Sequence, residues 1–159
     1  MKKILLILAV FGLILGMSGI AMAATETTNL TVDATVTADC NMSVTRNLVF
    51  GSFSVLDGIT HDETATVSIA CTKDTTANIW SATTRELTCT GTTLIFGLYE
   101  DAAHTNSLST NGSAATTIDV TGTGSAQAKT IYGRVPSSGN TGVKAGACTQ
   151  GTMVLTVTY

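Results

Sequence analysis

Four cysteines are the residues of this chain whose chemistry is most directly indicated by type and spacing. Cys40, Cys71, Cys89 and Cys148 are separated by 31, 18 and 59 positions. Compact zinc sites place cysteines only about two to four residues apart. An even number of cysteines in an exported chain instead favours two disulfides, for which four cysteines allow three pairings. Type and spacing leave all three pairings open.

Histidine and tryptophan provide the other candidates for chemistry. His61 stands directly before two carboxylates and could in principle bind metal or transfer protons, but the preceding Asp-Gly pair predicts a solvated loop. His104 follows another acidic pair, and we expect it at the surface. Trp80, the sole tryptophan, is expected in the core rather than in a sugar site.

Enzyme motifs are absent from the sequence. It contains no Gly-x-Ser-x-Gly elbow, no His-Glu-x-x-His zinc motif and no phosphate-binding loop. We therefore predict a protein that is not an enzyme, with no catalytic residue, metal site, cofactor or small-molecule substrate.

Residues 1–23 have the pattern of a secretory signal peptide. Lys2 and Lys3 precede an apolar run at 4–15, and Ala-Met-Ala at 21–23 fits the cleavage site. Removal would leave 136 residues, the size of one ordinary domain, with six basic against eleven acidic residues and a net charge of −5. Because the basic residues are scattered, nucleic acid is excluded as a partner. We expect export through the periplasm to the cell surface.

The composition favours strands. Threonine accounts for 31 of 159 residues, and proline occurs once. β-branched residues fit a pleated, half-buried surface. Segments with turn chemistry separate runs of alternating polarity, which predicts an all-β sandwich or barrel. The predicted strands are 44–53, 64–71, 77–81, 93–99, 116–120, 128–135 and 152–159.

The segment at 24–39 is the most unusual of the alternating runs. Its apolar face carries Leu30, Val32, Ala34 and Val36. Sixteen residues at about 3.3 Å each would extend roughly 50 Å, against about 17–20 Å for an ordinary strand. The run is either an over-long first strand of its own domain, with a frayed or differently paired end, or a strand that completes the sheet of another molecule.

Five local sequences, in this order, resemble the Spore Coat Protein U domain family. Members of this family include the structural pilins of archaic chaperone–usher (Csu-type) pili. The similarity extends over essentially the whole mature chain, with Cys40 ahead of the first core strand. The matching sequences are LVFGSF at 48–53, VSIACT at 67–72, FGLYEDAAHT at 96–105, IYGRVP at 131–136 and LTVTY at 155–159.

This resemblance implies an immunoglobulin-like β-sandwich that lacks its seventh strand. A periplasmic pilus chaperone would fill the gap until an outer-membrane usher replaces it with the N-terminal segment of a neighbouring pilin subunit. The implied organisation is a signal peptide at 1–23, a donor strand at 24–36 and a pilin domain at 37–159. The resemblance also implies a Cys40–Cys71 disulfide between the first two core strands, which leaves Cys89 and Cys148 for a second bridge.

The function predicted from this resemblance is that of a structural pilus subunit. It would polymerise by donor-strand exchange and support adhesion and biofilm formation. The alternative is a spore-coat or other secreted surface protein that uses the same domain without pilus assembly. A monomeric carbohydrate-binding adhesin is a third class, but 136 residues leave no room for a separate receptor-binding domain.

Overall fold

A computed structural model of the chain describes residues 25–112, 115–150 and 152–159. The predicted signal peptide at 1–23 lies outside these residues. The chain separates into two compact units, Met1–Thr35 and Val36–Tyr159. In the first unit, the described residues 25–35 have no regular secondary structure and are exposed. All of the strands described below belong to the second unit.

The second unit is all-β and confirms the predicted fold class. Its pairings are antiparallel throughout, and the described residues form no helix long and apolar enough to cross a membrane. The strands of the described residues are β1 (Cys40–Arg46), β2 (His61–Cys71), β3 (Thr76–Trp80), β4 (Glu86–Cys89), β5 (Thr92–Ile95), β6 (Gly97–Tyr99), β7 (Ile118–Thr121), β8 (Gln127–Val135) and β9 (Thr156–Thr158).

The strands form two main sheets and one hairpin. The first sheet has the order β1-β2-β8-β6, and the second has the order β7-β3-β9. The β4–β5 hairpin stands apart from both, and it turns through Thr90 and Gly91, whose φ of +73° suits glycine. The pairing of β2 with β8 is the longest ladder and runs from His61↔Val135 to Ile69↔Gln127. These two inner strands form the centre of the first sheet, and the other elements pack around them.

The core lies between the inward faces of the two sheets. Alternate residues of β2 and β8 are buried, as the period of a strand requires. Ile69 and Ile79, one from each sheet, are completely buried. The same cluster includes Val67, Leu98, Leu108, Ile118, Val120, Ile131 and Val135. This is the arrangement of a β-sandwich.

Trp80 is not part of this core, contrary to the sequence expectation. Its neighbour Ile79 takes the inward position on β3, so the indole lies on the outer face of the second sheet, half-buried. There Trp80 Nε1 donates to Thr158 Oγ1 at 3.0 Å. Gly112 lies so close to the indole that a Cβ atom there would be 2.8 Å from Nε1. A loop glycine rather than the sandwich interior therefore covers this ring.

The two histidines also depart from expectation. His61 opens β2 instead of lying in a loop, and its Nε2 lies 3.0 Å from the Asp57 carboxylate. The His104 side chain is only 6% exposed, packed against the rings of Tyr99 and Tyr132. The sequence pattern missed this burial because the two tyrosines come from different strands.

The outer face of the first sheet carries an ion pair. Arg134 donates through Nε and Nη2 to the two carboxylate oxygens of Asp62, at 2.7 and 2.6 Å. These hydrogen bonds are the main reason that the pKa of Asp62 is lowered from its ordinary value. Asp101 also has a lowered pKa, chiefly because the backbone N–H of Asn106 donates to its carboxylate. Both groups favour the folded state when they are ionised.

Acid should remove the Asp62 contribution to stability. A carboxyl whose pKa is lower in the folded than in the unfolded state stabilises above the unfolded value, near 3.9, and ceases to do so as pH falls through the folded value. We expect Asp62→Asn to lower the free energy of unfolding slightly at pH 7, because the pair is 41% exposed at Asp62 and screened. Urea titrations at several pH values should show this difference from the wild type shrinking below about pH 5. A pH-independent difference would contradict the assignment.

Candidate functional site: an apolar groove between two open edges

One edge strand of each main sheet, β1 in the first and β9 in the second, has a free outer side among the described residues. Among the described residues, β1 pairs only with β2 and β9 pairs only with β3. The hydroxyl of Tyr159 donates to Asp39 Oδ1 at 3.3 Å, so the end of β9 lies beside the start of β1. From this common point, the chain forward in sequence from β1 and the chain backward in sequence from β9 both lead to the same cavity.

Beyond this point both segments leave their ladders. The β1–β2 register shifts between Val44 and Arg46, so Thr45 falls out of register with β2. A bulge of this kind bends a strand and ends its pairing. Residues 47–53 and 152–155 have no strand assignment, although the sequence predicted strands at 44–53 and 152–159. Both predictions are wrong over these residues, and Tyr159 also lies outside β9.

An apolar groove of about 1150 Å³ lies between these two unpaired segments. Leu48, Phe50 and Phe53 line it from one segment, and Met153 and Leu155 from the other. These five side chains are only partly buried and pack against the core cluster. The floor of the groove is formed by Ala65, Leu87, Leu94, Phe96, Leu98 and Ile131. The shape and lining suit an extended apolar segment.

Gly133 sets the depth of the groove at one wall. It faces inward from β8, and a Cβ atom there would lie 2.6 Å from Leu48 Cδ2 and 3.1 Å from Phe50 Cζ. The absence of a side chain therefore lets Leu48 and Phe50 lie flat against the sheet. With any larger residue at Gly133, these side chains would move outward into the groove.

Two disulfides link segments of the second unit, and Cys148 of one of them lines the groove. One joins Cys40 to Cys71, which face each other in the β1–β2 register, and the other joins Cys89 to Cys148. The described chain contains no free cysteine. The first bridge links the edge strand β1 to β2, and the second links the β4–β5 hairpin to a segment that lines the groove.

The predicted donor residues precede β1 in the chain. Leu30, Val32 and Val36 are 86%, 80% and 82% exposed, and Ala34 is exposed as well. Residues 25–39 form no strand despite their alternating pattern. Apolar side chains this exposed, in a series at every second residue, are unusual for a protein surface and point to a partner.

The attachment of this segment begins at Thr37. The hydroxyl of Thr72 lies 3.4 Å from the carbonyl oxygens of Thr37 and Asp39, and the backbone N–H of Thr72 donates to Asp39 at 2.9 Å. Asp39 N donates in turn to Thr72 Oγ1 at 3.2 Å. Hydrogen bonds within the second unit therefore anchor the chain from Thr37 onward.

The chain belongs to a family of exported structural proteins of the pilus and spore-coat type. The family model of the Spore Coat Protein U domain matches residues 26–156, which is most of the sequence. No curated protein matches the chain. This match confirms the family resemblance seen in the sequence. The family consists of pilin-type structural subunits rather than enzymes.

A second candidate site is the pair formed by His104 and Asp62. His104 Nε2 lies 3.7 Å from Asp62, but Arg134 already occupies both oxygens of that carboxylate. Within the described ranges, no three His, Cys, Asp or Glu residues are grouped so that they could hold a metal ion. The groove, with its apolar lining between two unpaired segments, is the candidate functional site.

Proposed function

We propose that this protein is a structural subunit of a surface pilus and polymerises by donor-strand exchange. In this proposal the segment at 24–36 of one subunit lies in the groove of the next. The observation that supports it best is the position of the unpaired edges: the segments that fail to form their expected strands are those that line the groove. A strand inserted there would complete the ladders that both walls lack.

The donor and the groove match in chemistry. Leu30, Val32, Ala34 and Val36 would point into the groove, while the threonines between them would face solvent. Full burial of one valine or leucine side chain contributes about 1.5–3 kcal/mol. Several such side chains, together with a ladder of backbone hydrogen bonds, are sufficient for a stable joint.

The geometry of the edges adds a constraint on the inserted strand. Since the walls after β1 and before β9 run in opposite chain directions, a donor between them is parallel to one wall and antiparallel to the other. The joint is also head-to-tail, because donor and groove are different surfaces of the same chain. Contacts of this kind need not close into a ring and so build an open fibre.

The proposal includes two partners that act before assembly. An open edge with an exposed apolar groove is prone to pair with other chains. A periplasmic chaperone would occupy the groove after export, and an outer-membrane usher would replace it with the donor of the next subunit. Adhesion and biofilm formation would be properties of the completed fibre.

Deletion of residues 24–34 tests the proposal. The truncated subunit should still bind its chaperone, because the groove is untouched, but should form no fibres because it carries no donor. Pull-down with the chaperone and electron microscopy of surface fibres measure the two results. Fibre yield equal to the wild type would refute donor-strand exchange and favour a surface protein that does not assemble in this way.

A further inference from the structure

One wall of the groove has no sheet of its own. Residues 143–150 line the groove along nearly all of their length, yet they form no strand and only one isolated bridge, Thr88↔Thr149. Without other contacts, a wall outside any sheet would have to be ordered each time a strand binds, and ordering costs affinity. The wall therefore depends on whatever holds it in place.

The β4–β5 hairpin holds the start of this wall. Asn140 is buried, and its side chain meets the backbone of Ile95 twice. Asn140 Oδ1 accepts from Ile95 N at 2.8 Å, and Asn140 Nδ2 donates to Ile95 O at 3.0 Å. Further along, Lys144 N donates to Thr92 Oγ1 at 3.1 Å.

The hairpin holds the end of the wall still more firmly. The Cys89–Cys148 disulfide links them covalently. Beside it, Thr88 and Thr149 exchange two backbone hydrogen bonds of 2.8 and 2.9 Å. Gln150 Nε2 adds a hydrogen bond of 2.6 Å to Thr84 O, just before the hairpin.

The hairpin also contributes directly to the groove. Leu87 on β4 and Leu94 on β5 are register partners, and both side chains line the groove floor. The same element thus supplies apolar floor residues and fixes the wall above them. Movement of the wall relative to this floor would widen the groove.

We propose that the β4–β5 hairpin and the Cys89–Cys148 disulfide form a clamp that sets the groove width and so controls how long a donor strand stays bound. This inference rests on the proposed function and identifies the structural device that regulates retention in that site. The disulfide acts as a positioning element, because it grips the wall and not the donor. Loss of this disulfide alone, by substitution of its two cysteines, would loosen the wall and speed donor release.

The test uses the full-length mature chain and a fluorescent peptide of residues 25–38. Fluorescence anisotropy reports the affinity and the dissociation rate. We expect Cys89→Ser/Cys148→Ser to release the peptide about tenfold faster, because interface changes act mainly on dissociation. Amide exchange in β2 and β8 identifies conditions in which the variant is folded, and a peptide with asparagine at Leu30 and Val32 is the binding control.

A second variant retains the disulfide. Thr92→Val/Gln150→Ala removes two of the hydrogen bonds to the wall and should accelerate release less, by roughly threefold. Thr123→Val, in a turn away from the groove lining, should leave release unchanged. If the folded cysteine variant and the hydrogen-bond variant both release peptide at the wild-type rate, the clamp is refuted while the groove stands. If the wild type binds no peptide at all, the proposed function fails, and the clamp with it.

Discussion

Replacement of Leu30 and Val32 by asparagine should abolish fibre assembly and leave the β-sandwich folded. Each side chain is at least 80% exposed in the single chain, so the fold loses no packing from the change. In the assembled fibre each would be buried, at about 1.5–3 kcal/mol per side chain. The combined loss of about 3–6 kcal/mol corresponds to a joint weakened roughly 10²- to 10⁴-fold.

The opposite face of the same segment provides a matched control. Thr31→Asn/Thr35→Asn introduces the same two amides at positions that would face solvent in the joint. We expect this control to assemble nearly as well as the wild type. Light scattering follows polymerisation of chaperone-free subunit, and circular dichroism checks the fold. Equal assembly by both variants, or equal failure of both, would contradict the assignment of an apolar donor face.

The second large effect concerns the Cys40–Cys71 disulfide. It closes a loop with a sequence separation of 31 and ties the edge strand β1 to β2. In the chain-entropy model, a loop of this length stabilises the folded state by about 3–4 kcal/mol. Small domains are stable by only about 5–15 kcal/mol. A sandwich with an open groove has little reserve, so loss of this bridge should leave a substantial unfolded fraction.

Urea denaturation of Cys40→Ser/Cys71→Ser measures this contribution. We expect the free energy of unfolding to fall by about 3–4 kcal/mol, with a somewhat steeper slope against urea because the unlinked denatured chain exposes more surface. Met42→Ser on the same strand is the control, because it removes a half-buried apolar side chain without opening the loop. A decrease of less than about 1 kcal/mol for the cysteine variant would show that the loop constraint is not what stabilises the fold.

The fold could be predicted from the sequence wherever a strand has neighbours on both sides. The patterns at 64–71 and 128–135 correspond to the two central strands β2 and β8, whose ladders extend slightly further. At 93–99 the predicted strand is divided at Phe96 into β5 and β6, which belong to different sheets. Alternation shows which residues can form a strand, but it does not reveal which sheet the strand joins.

The predictions failed most informatively at the open edges. An alternating pattern records the burial that a segment has when it is paired. Residues 47–53 and 152–155 carry that pattern and have no partner strand among the described residues, and the segment at 25–36 behaves in the same way. In the proposed fibre all three segments would pair with one another across a subunit joint. Their sequences then describe the assembled state and not the single chain.

The short strand β4 and the groove wall could not be found from the sequence. Only Leu87 and Cys89 face inward on β4, which is too brief a signal for a four-residue strand. Residues 143–150 have no alternation at all, and their position is set by contacts with distant residues. The resemblance to the family supplied what local pattern could not, namely that a sandwich of this kind lacks a strand.

Photo-crosslinking within the fibre tests the central claim most directly. A photoreactive residue at Val32 is introduced into subunits grown in light and heavy nitrogen, which are mixed, assembled and crosslinked. The account predicts crosslinks to groove residues such as Leu155 and Phe50, with half of the crosslinked pairs of mixed isotope. Crosslinks found only within chains of one isotope would show that the segment fills its own sandwich, and donor-strand exchange would be excluded.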